Sequence, residues 1–280
     1  MPRYKLIAVD IDGTLLDGRA EFPSIVREAL RRALDAGMRV VLCTGRRYRT
    51  AAPIAHQAGL DLPLVCHSGA LVKDTATDRT LFAHPMPQGD LERLLGVLCD
   101  VGLTPLAFTD TYETGTDLYV PRGAPITRFH RDYLAKNAGC HRELEVLWRD
   151  VPAPVLQVCT FGEPEDLVRI RPQIHERMAG RIACHLLSSA KYLGHFLEFQ
   201  NAAASKWAAL QDLLVAYTIE PGQVVAIGDD ENDISMLRAA GLGVAMGNAP
   251  PAVKSAADVV TASNEEHGVA RVLDKLLEER

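Results

Sequence analysis

The stretch Leu6-Ile7-Ala8-Val9-Asp10-Ile11-Asp12-Gly13-Thr14-Leu15 indicates the fold of this chain. Its first four residues form an apolar run long enough for a short buried strand, which ends in two aspartates and a turn-forming glycine. A buried parallel strand carries its last residues to the carboxyl edge of a sheet, where open α/β folds bind ligands. Asp10 and Asp12 are therefore candidate ligands for Mg²⁺, and Asp10 is a candidate nucleophile. An ordinary strand that ends in a turn fits the same pattern. The rest of the sequence is therefore needed to distinguish a functional site from such a turn.

Size and composition exclude several classes of protein. The chain has 280 residues, of which 48% are hydrophobic and 24% charged, as is typical of globular proteins. A net charge of −6 argues against nucleic acid as a partner. No apolar run approaches the roughly 20 residues of a membrane span, and we expect neither a signal peptide nor a membrane partner. The six scattered cysteines fit a reducing, cytoplasmic location. The oligomeric state is not indicated.

The order of predicted elements divides the chain into two domains. Strands and helices, including a helix over Tyr48–Ala58, alternate at both ends of the sequence, and this alternation predicts a doubly wound parallel sheet. In between, strands come in pairs and prolines cluster. We therefore expect an α/β core made of residues 1–84 and 191–280, with an α+β domain inserted at 85–190.

Polar residues follow three of the predicted core strands. They are Asp10 and Asp12, then Thr44, Gly45 and Arg46, and finally Asp229 and Asp233. In a parallel sheet these groups meet at one edge. The Thr44 hydroxyl and the backbone at Gly45 suit a phosphate, although a helix N-cap explains Thr44 equally well. Clustered carboxylates repel one another unless a cation lies between them, which again favours a metal.

Lys206 opens the helix that leads to the Asp229 strand. A lysine at a helix start is ordinarily solvated, but here its ammonium group would neutralise charge near a phosphate. These residues together resemble the haloacid dehalogenase superfamily phosphatases of the Cof-type subfamily. The matching segments are Asp10–Leu15, Thr44–Arg46, Lys206, Gly228–Asp233 and Ala245–Ala249. The resemblance implies a Rossmann-like core, with the insert as a substrate-specificity cap. One departure is Ser68-Gly69-Ala70, where the family usually has Asn-Gly-Ala.

The resemblance also implies roles for individual residues. Asp10 would attack phosphorus and form an aspartyl-phosphate, while Asp12 would protonate the leaving alcohol and later activate water. Mg²⁺ would be held by Asp10, the backbone carbonyl of Asp12, and Asp229, with Asp233 either bound directly or one step removed. The phosphoryl group would contact Thr44, Gly45, Arg46, Lys206 and Asn232. Asp230 and Glu231 are expected to face solvent.

The implied activity is hydrolysis of a small phosphorylated metabolite, such as a sugar phosphate or a phosphorylated cofactor. Two alternatives remain: a phosphomutase of the same fold, and a non-enzymatic regulator that accepts phosphate on Asp10. The insert argues against a regulator of the receiver type, which needs no cap. Within the insert, Arg122, Arg128 and His130 are candidates for contacting the rest of the substrate.

Overall fold

The computed structural model describes residues 3–57, 59, 62–188 and 191–278. It forms two compact units, one made of Met1–Phe82 with Ser205–Arg280 and the other of Ala83–Ala204. Ala58, the last residue of the predicted second helix, lies outside the described residues. Among the helices described, none is both long enough and apolar enough to cross a membrane. The cytoplasmic location remains a prediction.

The first unit begins with β1 (Leu6–Asp10), α1 (Ser24–Asp35), β2 (Arg39–Cys43), α2 (Tyr48–Gln57), β3 (Pro63–Cys66), β4 (Leu71–Asp74) and β5 (Thr80–Ala83). The second unit contains α3 (Gln88–Asp100), β6 (Leu106–Thr109), β7 (Leu118–Pro121), α4 (Arg128–Lys136), β8 (His141–Leu144), α5 (Leu147–Asp150), β9 (Val155–Gly162), α6 (Pro164–Met178), β10 (Ile182–Ser188) and β11 (His195–Asn201). The first unit then resumes with α7 (Lys206–Tyr217), β12 (Val224–Gly228), α8 (Ile234–Ala239), β13 (Leu242–Ala245), α9 (Pro251–Lys254), β14 (Val259–Val260) and α10 (Gly268–Glu278).

The first unit is built on an eight-stranded sheet in the order β14-β13-β12-β1-β2-β3-β4-β5. The strands from β14 to β3 pair in parallel, and β4 pairs antiparallel with β3. Every residue of the central strand β1 is buried, as expected for a parallel strand covered on both faces. The carboxyl ends of β1, β2, β3 and β12 therefore lie at one edge. The predicted α/β class is confirmed, but the pattern did not reveal β4 and β5.

The second unit is an α+β structure with its own core. Its six-stranded sheet has the order β10-β11-β9-β6-β7-β8 and is antiparallel except where β7 pairs with β8. Residues of α3 and α6 pack with one apolar cluster, while an aromatic cluster around Tyr133 of α4 forms a second. The predicted end of the insert at residue 190 needs correction. The strand β11 pairs with β9 and β10, so the unit continues to Ala204.

Candidate active site

The turn after β1 approaches the end of β12 very closely. Gly13 has a positive φ of 75°, and a Cβ atom there would lie 2.2 Å from the Asp229 Oδ2 atom. Only glycine can adopt this positive φ and also leave room for the Asp229 side chain. The glycine at this position thus lets the segments Asp10–Leu15 and Gly228–Asp233 lie together.

Lys206 lies at the centre of the acidic residues. Its Nζ atom donates hydrogen bonds to Asp10 Oδ1 and to Asp233 Oδ1, each at 2.6 Å, and its side chain is 0% exposed. Ser205 is the N-cap of α7 and its side chain accepts a hydrogen bond from the Ala208 backbone N–H, which fixes the start of this helix. The solvated-lysine alternative is therefore excluded for Lys206.

Burial governs the protonation of this cluster. Burial alone would lower the pKa of Lys206, but Asp10 and Asp233 outweigh that effect and raise it. Burial raises the pKa of Asp10 well above its ordinary value, with Lys206 opposing and the neighbouring aspartates reinforcing the shift. Burial and the charge of Asp233 raise the pKa of Asp229 to about 8, against the hydrogen bond from Thr14. A cation binding here would displace protons from these carboxylates.

We predict that Lys206→Met will destabilise the protein strongly at pH 8. Removing one partner of a buried ion pair costs about 3–5 kcal/mol, because the remaining charges lose their compensation. The loss should shrink at pH 5, where the raised pKa values of Asp10 and Asp229 let both take up protons. Denaturant unfolding at the two pH values would measure this. Lys73→Met is the matched control, since Lys73 is also buried in this unit but donates to Thr80 Oγ1. An equal loss at both pH values would contradict the prediction.

Two side chains that were not predicted as site residues hold Asp229. Thr14 Oγ1 donates to Asp229 Oδ1 at 2.7 Å, and Asn248 Nδ2 donates to Oδ2 at 3.2 Å and to the Gly13 carbonyl at 2.8 Å. Both lie in segments that the sequence had singled out, Asp10–Leu15 and Ala245–Ala249. Their place in these segments was the signal that the sequence offered, but it did not indicate that both side chains bond Asp229.

Asp233 and Asp230 organise the loop after β12. Asp233 Oδ2 accepts hydrogen bonds from the backbone N–H groups of Asp229 and Asp230, at 2.9 and 3.0 Å. Asp230 Oδ1 accepts from the Glu231 backbone at 2.7 Å, and burial raises its pKa. The expectation that Asp230 faces solvent was wrong, because this side chain caps the short helical turn at Glu231–Asp233.

Three carboxylates are close enough to share one cation. Ligand atoms of Asp10, Asp229 and Asp233 lie within 4.8 Å of one another. Carboxylate oxygens are hard donors of the kind that Mg²⁺ prefers, so the donor set fits that ion. The Asp12 side chain does not belong to this group, and the predicted contact of its backbone carbonyl with a metal stays a prediction.

Arg46 contacts Asp12. Its Nε atom donates to Asp12 Oδ2 at 2.6 Å, and its Nη2 atom bonds the other carboxylate oxygen, in a bidentate pair. Thr44 is buried, and its Oγ1 atom accepts a hydrogen bond from the Arg46 backbone at 3.1 Å. Arg46 was predicted to bind phosphate, whereas the structure places its guanidinium on the predicted general acid. Gly45 lies between Thr44 and Arg46, at the end of β2, and its predicted phosphate contact stays a prediction.

Asn232 is buried beside the turn that follows β3. Its Nδ2 atom donates to Ser68 Oγ at 3.0 Å. Asn232, a predicted phosphate ligand, therefore contacts Ser68. Ser68 is the residue at which the turn after β3 departs from the family pattern.

The candidates in the second unit have other partners. Arg122 is exposed and pairs with Glu145, and exposed Arg128 pairs with Glu163. His130 is buried, with Nε2 at 3.0 Å from the Thr104 carbonyl oxygen, and burial lowers its pKa. These contacts stabilise the second unit itself, so they give no support to the predicted substrate role.

Comparisons with known proteins identify the family to which the chain belongs. A family model described as haloacid dehalogenase-like hydrolase matches residues 7–273. The 5-amino-6-(5-phospho-D-ribitylamino)uracil phosphatase YwtE of Bacillus subtilis is 29% identical, over 98% of each chain. Pyridoxal phosphate phosphatase YbhA of Escherichia coli is also 29% identical, over 96% of this chain and 97% of its own. A crystal structure of a haloacid dehalogenase-like hydrolase from Bacteroides thetaiotaomicron has a TM-score of 0.78 at 28% identity, covering 98% of this chain and 99% of that one. The chain therefore belongs to the haloacid dehalogenase-like hydrolases and is a phosphatase of that family.

Proposed function

We propose that this phosphatase hydrolyses small phosphomonoesters with Mg²⁺ through an aspartyl-phosphate on Asp10. The observation that carries the proposal is the buried cluster in which Lys206 bonds both Asp10 and Asp233 at 2.6 Å. A carboxylate is a competent nucleophile at phosphorus, and the ammonium group lies where it can balance charge on phosphoryl oxygens.

Asp10 and Asp229, together with Asp233, would hold the Mg²⁺ ion, because their ligand atoms cluster within 4.8 Å. When bound, the ion would neutralise charge on the phosphoryl group and on the carboxylates. Thr14 and Asn248 orient Asp229 for this task. Asp233 keeps Lys206 and the loop after β12 in place.

The reaction has two steps. In the first, an oxygen of Asp10 attacks phosphorus, the bond between phosphorus and the alcohol oxygen breaks, and Asp12 gives its proton to the departing alcohol. In the second, Asp12 takes a proton from water, the water oxygen attacks phosphorus, and the bond to Asp10 breaks, releasing inorganic phosphate. Proton transfer of this kind contributes roughly 10²- to 10⁴-fold in rate. In the structure both oxygens of Asp12 accept hydrogen bonds from Arg46, so Asp12 must release one of these bonds to transfer a proton.

The second unit would set the choice of substrate, since the reacting groups all lie in the first unit. The relatives YwtE and YbhA are named for a phosphoribitylamino-uracil and for pyridoxal phosphate. These names support a phosphorylated small metabolite as the substrate class, including sugar phosphates and phosphorylated cofactors.

A direct test is phosphate release from a panel of phosphorylated metabolites by the purified protein with Mg²⁺. Steady release over many turnovers is expected for at least one member of the panel. A single stoichiometric release would instead indicate a phospho-accepting regulator, and turnover that requires a bisphosphate activator would indicate a mutase.

We predict that Asp12→Asn will retain Mg²⁺ affinity better than Asp229→Asn. The Asp12 side chain bonds Arg46 in the structure, whereas Asp229 belongs to the carboxylate cluster. Both variants should lose turnover, Asp12→Asn by roughly 10²- to 10⁴-fold through lost proton transfer. Isothermal titration with MgCl₂ would rank their affinities. The opposite ranking would overturn the assignment of the two aspartates.

A further inference from the structure

The turn after β3 has an unusual backbone. His67 and Ser68 have φ values of 50° and 52°, and both are almost fully buried. Residues other than glycine rarely adopt this left-handed region, and two in succession are rarer still. Because such conformations are strained, surrounding contacts must hold them. We refer to His67–Gly69 as the β3 turn.

Backbone contacts hold the β3 turn against two other segments of the site. The His67 N–H donates to the Arg46 carbonyl and the Ser68 N–H to the Thr44 carbonyl, both at 3.0 Å. On its other side, a Cβ atom on Gly69 would lie 2.1 Å from the Ser205 carbonyl oxygen and 2.7 Å from the Lys206 nitrogen. The turn therefore packs against both the loop after β2 and the start of α7.

The Ser68 side chain contacts Asn232, which lies in the segment Gly228–Asp233. Asn232 Nδ2 donates to Ser68 Oγ at 3.0 Å, while Asn232 Oδ1 is buried without a hydrogen-bond partner among the described residues. A buried acceptor left unsatisfied destabilises the folded protein. A hydroxyl group can donate a hydrogen bond as well as accept one. Ser68 can therefore also bond the Asn232 side chain when its amide group is rotated so that Nδ2 and Oδ1 exchange places. In that orientation Ser68 donates to Oδ1, and Nδ2 becomes available to another acceptor.

We propose that Ser68 is a positioning residue that presents the N–H groups of Asn232 to a phosphoryl oxygen. The inference rests on the proposed function and on the predicted contact of Asn232 with the phosphoryl group. A phosphoryl dianion offers only acceptors, so an amide oxygen directed at it would be repelled. Donation from the Ser68 hydroxyl to Oδ1 selects the productive end of the amide. This arrangement also satisfies Oδ1, which has no hydrogen-bond partner in the described part of the chain.

The test distinguishes the effect of losing the Ser68 hydroxyl group from the effect of relieving the strain in its backbone. Ser68→Ala and Ser68→Gly both remove the hydroxyl, but only glycine adopts a φ near 50° without strain. The inhibition constant of inorganic phosphate, kcat and KM are measured for each variant with Mg²⁺, together with Tm. Both variants should bind phosphate about three- to tenfold more weakly, the loss expected for one hydrogen bond. Ser68→Gly should match or exceed the Tm of Ser68→Ala.

A double-mutant cycle with Asn232→Ala supplies the decisive comparison. If Ser68 acts by orienting Asn232, its replacement should change phosphate affinity less than twofold once the amide is gone. Thr218→Gly is the matched control, because Thr218 has a φ of 54° at the opposite end of α7 from Lys206. It should leave phosphate affinity unchanged.

Three results would overturn the proposal. They are an unchanged phosphate affinity in both Ser68 variants, a loss in phosphate affinity that follows Tm, and an equal loss in the Asn232→Ala background. Failure of the proposed function is distinguishable, because the wild-type protein would then release no phosphate from any ester. In that case the role of Ser68 fails with it.

Discussion

Asp10→Asn should reduce phosphatase turnover by at least about 1,000-fold while leaving the protein folded. The amide is nearly the same size as the carboxylate but cannot attack phosphorus. Two effects on stability oppose each other: the variant avoids burying a carboxylate, yet Lys206 loses one of its two charged partners. We therefore expect Tm to change by less than about 5 °C.

Release of phosphate from the best ester of the panel is the readout for Asp10→Asn, with Tm by calorimetry. Asp17→Asn is the matched control, because Asp17 lies in the following loop and accepts hydrogen bonds from the Arg19 and Glu21 backbones. It should retain full activity. Turnover by Asp10→Asn at a tenth of the wild-type rate, from contaminant-free protein, would disprove the covalent mechanism.

Removal of Mg²⁺ should reduce phosphatase turnover about as much as the Asp10→Asn substitution does. With excess EDTA, the repulsion among Asp10, Asp229 and Asp233 is relieved by Lys206 and by protonation alone, and a protonated Asp10 is a poor nucleophile. Turnover should fall by about 1,000-fold or more and return when MgCl₂ is restored. Calcium should restore it poorly, because Ca²⁺ prefers more ligands and longer bonds.

An independent readout of metal binding is thermal stability. At pH 8, Mg²⁺ at about 100 times its Kd should stabilise the fold by about 2.7 kcal/mol. Asp229→Asn should lose most of this stabilisation, whereas Lys73→Met should keep it. Undiminished activity in EDTA, together with no Mg²⁺-dependent stabilisation, would mean that the carboxylate cluster serves another purpose.

The sequence predicted the centre of the first unit because its signals are local. Apolar runs that end in Asp10, Thr44 or Asp229 identify buried strands and their carboxyl ends, and parallel pairing then places these ends together. The strands β4 and β5 at the edge of the sheet could not be predicted in this way. Leu71–Asp74 follows β3 after only a short turn and pairs antiparallel with it, so it breaks the alternation on which the prediction relied.

The remaining errors concern partners that lie far apart in the chain. Nothing local indicates that β11 pairs with β9, that Arg46 faces Asp12, or that Asp230 caps a helical turn. A charged side chain is compatible with many partners, and tertiary structure selects among them. The same limit explains why Arg122 and Arg128 resembled substrate ligands but form ion pairs with neighbouring glutamates.

The position of β1 beside β12 has a consequence for biosynthesis. Asp10 and Lys206 are separated by 196 residues, and β1 pairs with β12 still later in the chain. As the protein leaves the ribosome, one edge of β1 therefore stays without its neighbour until β12 (Val224–Gly228) has emerged. All strands of the second sheet, by contrast, lie within Ala83–Ala204. The inner segment can thus fold first, while the nascent amino-terminal segment exposes an unpaired strand edge to chaperones and to aggregation. Stalled nascent chains with all residues up to 204 outside the ribosome should show this in limited proteolysis, with cleavage before residue 83 and protection after it. Protection of both segments would show that β1 does not wait for β12.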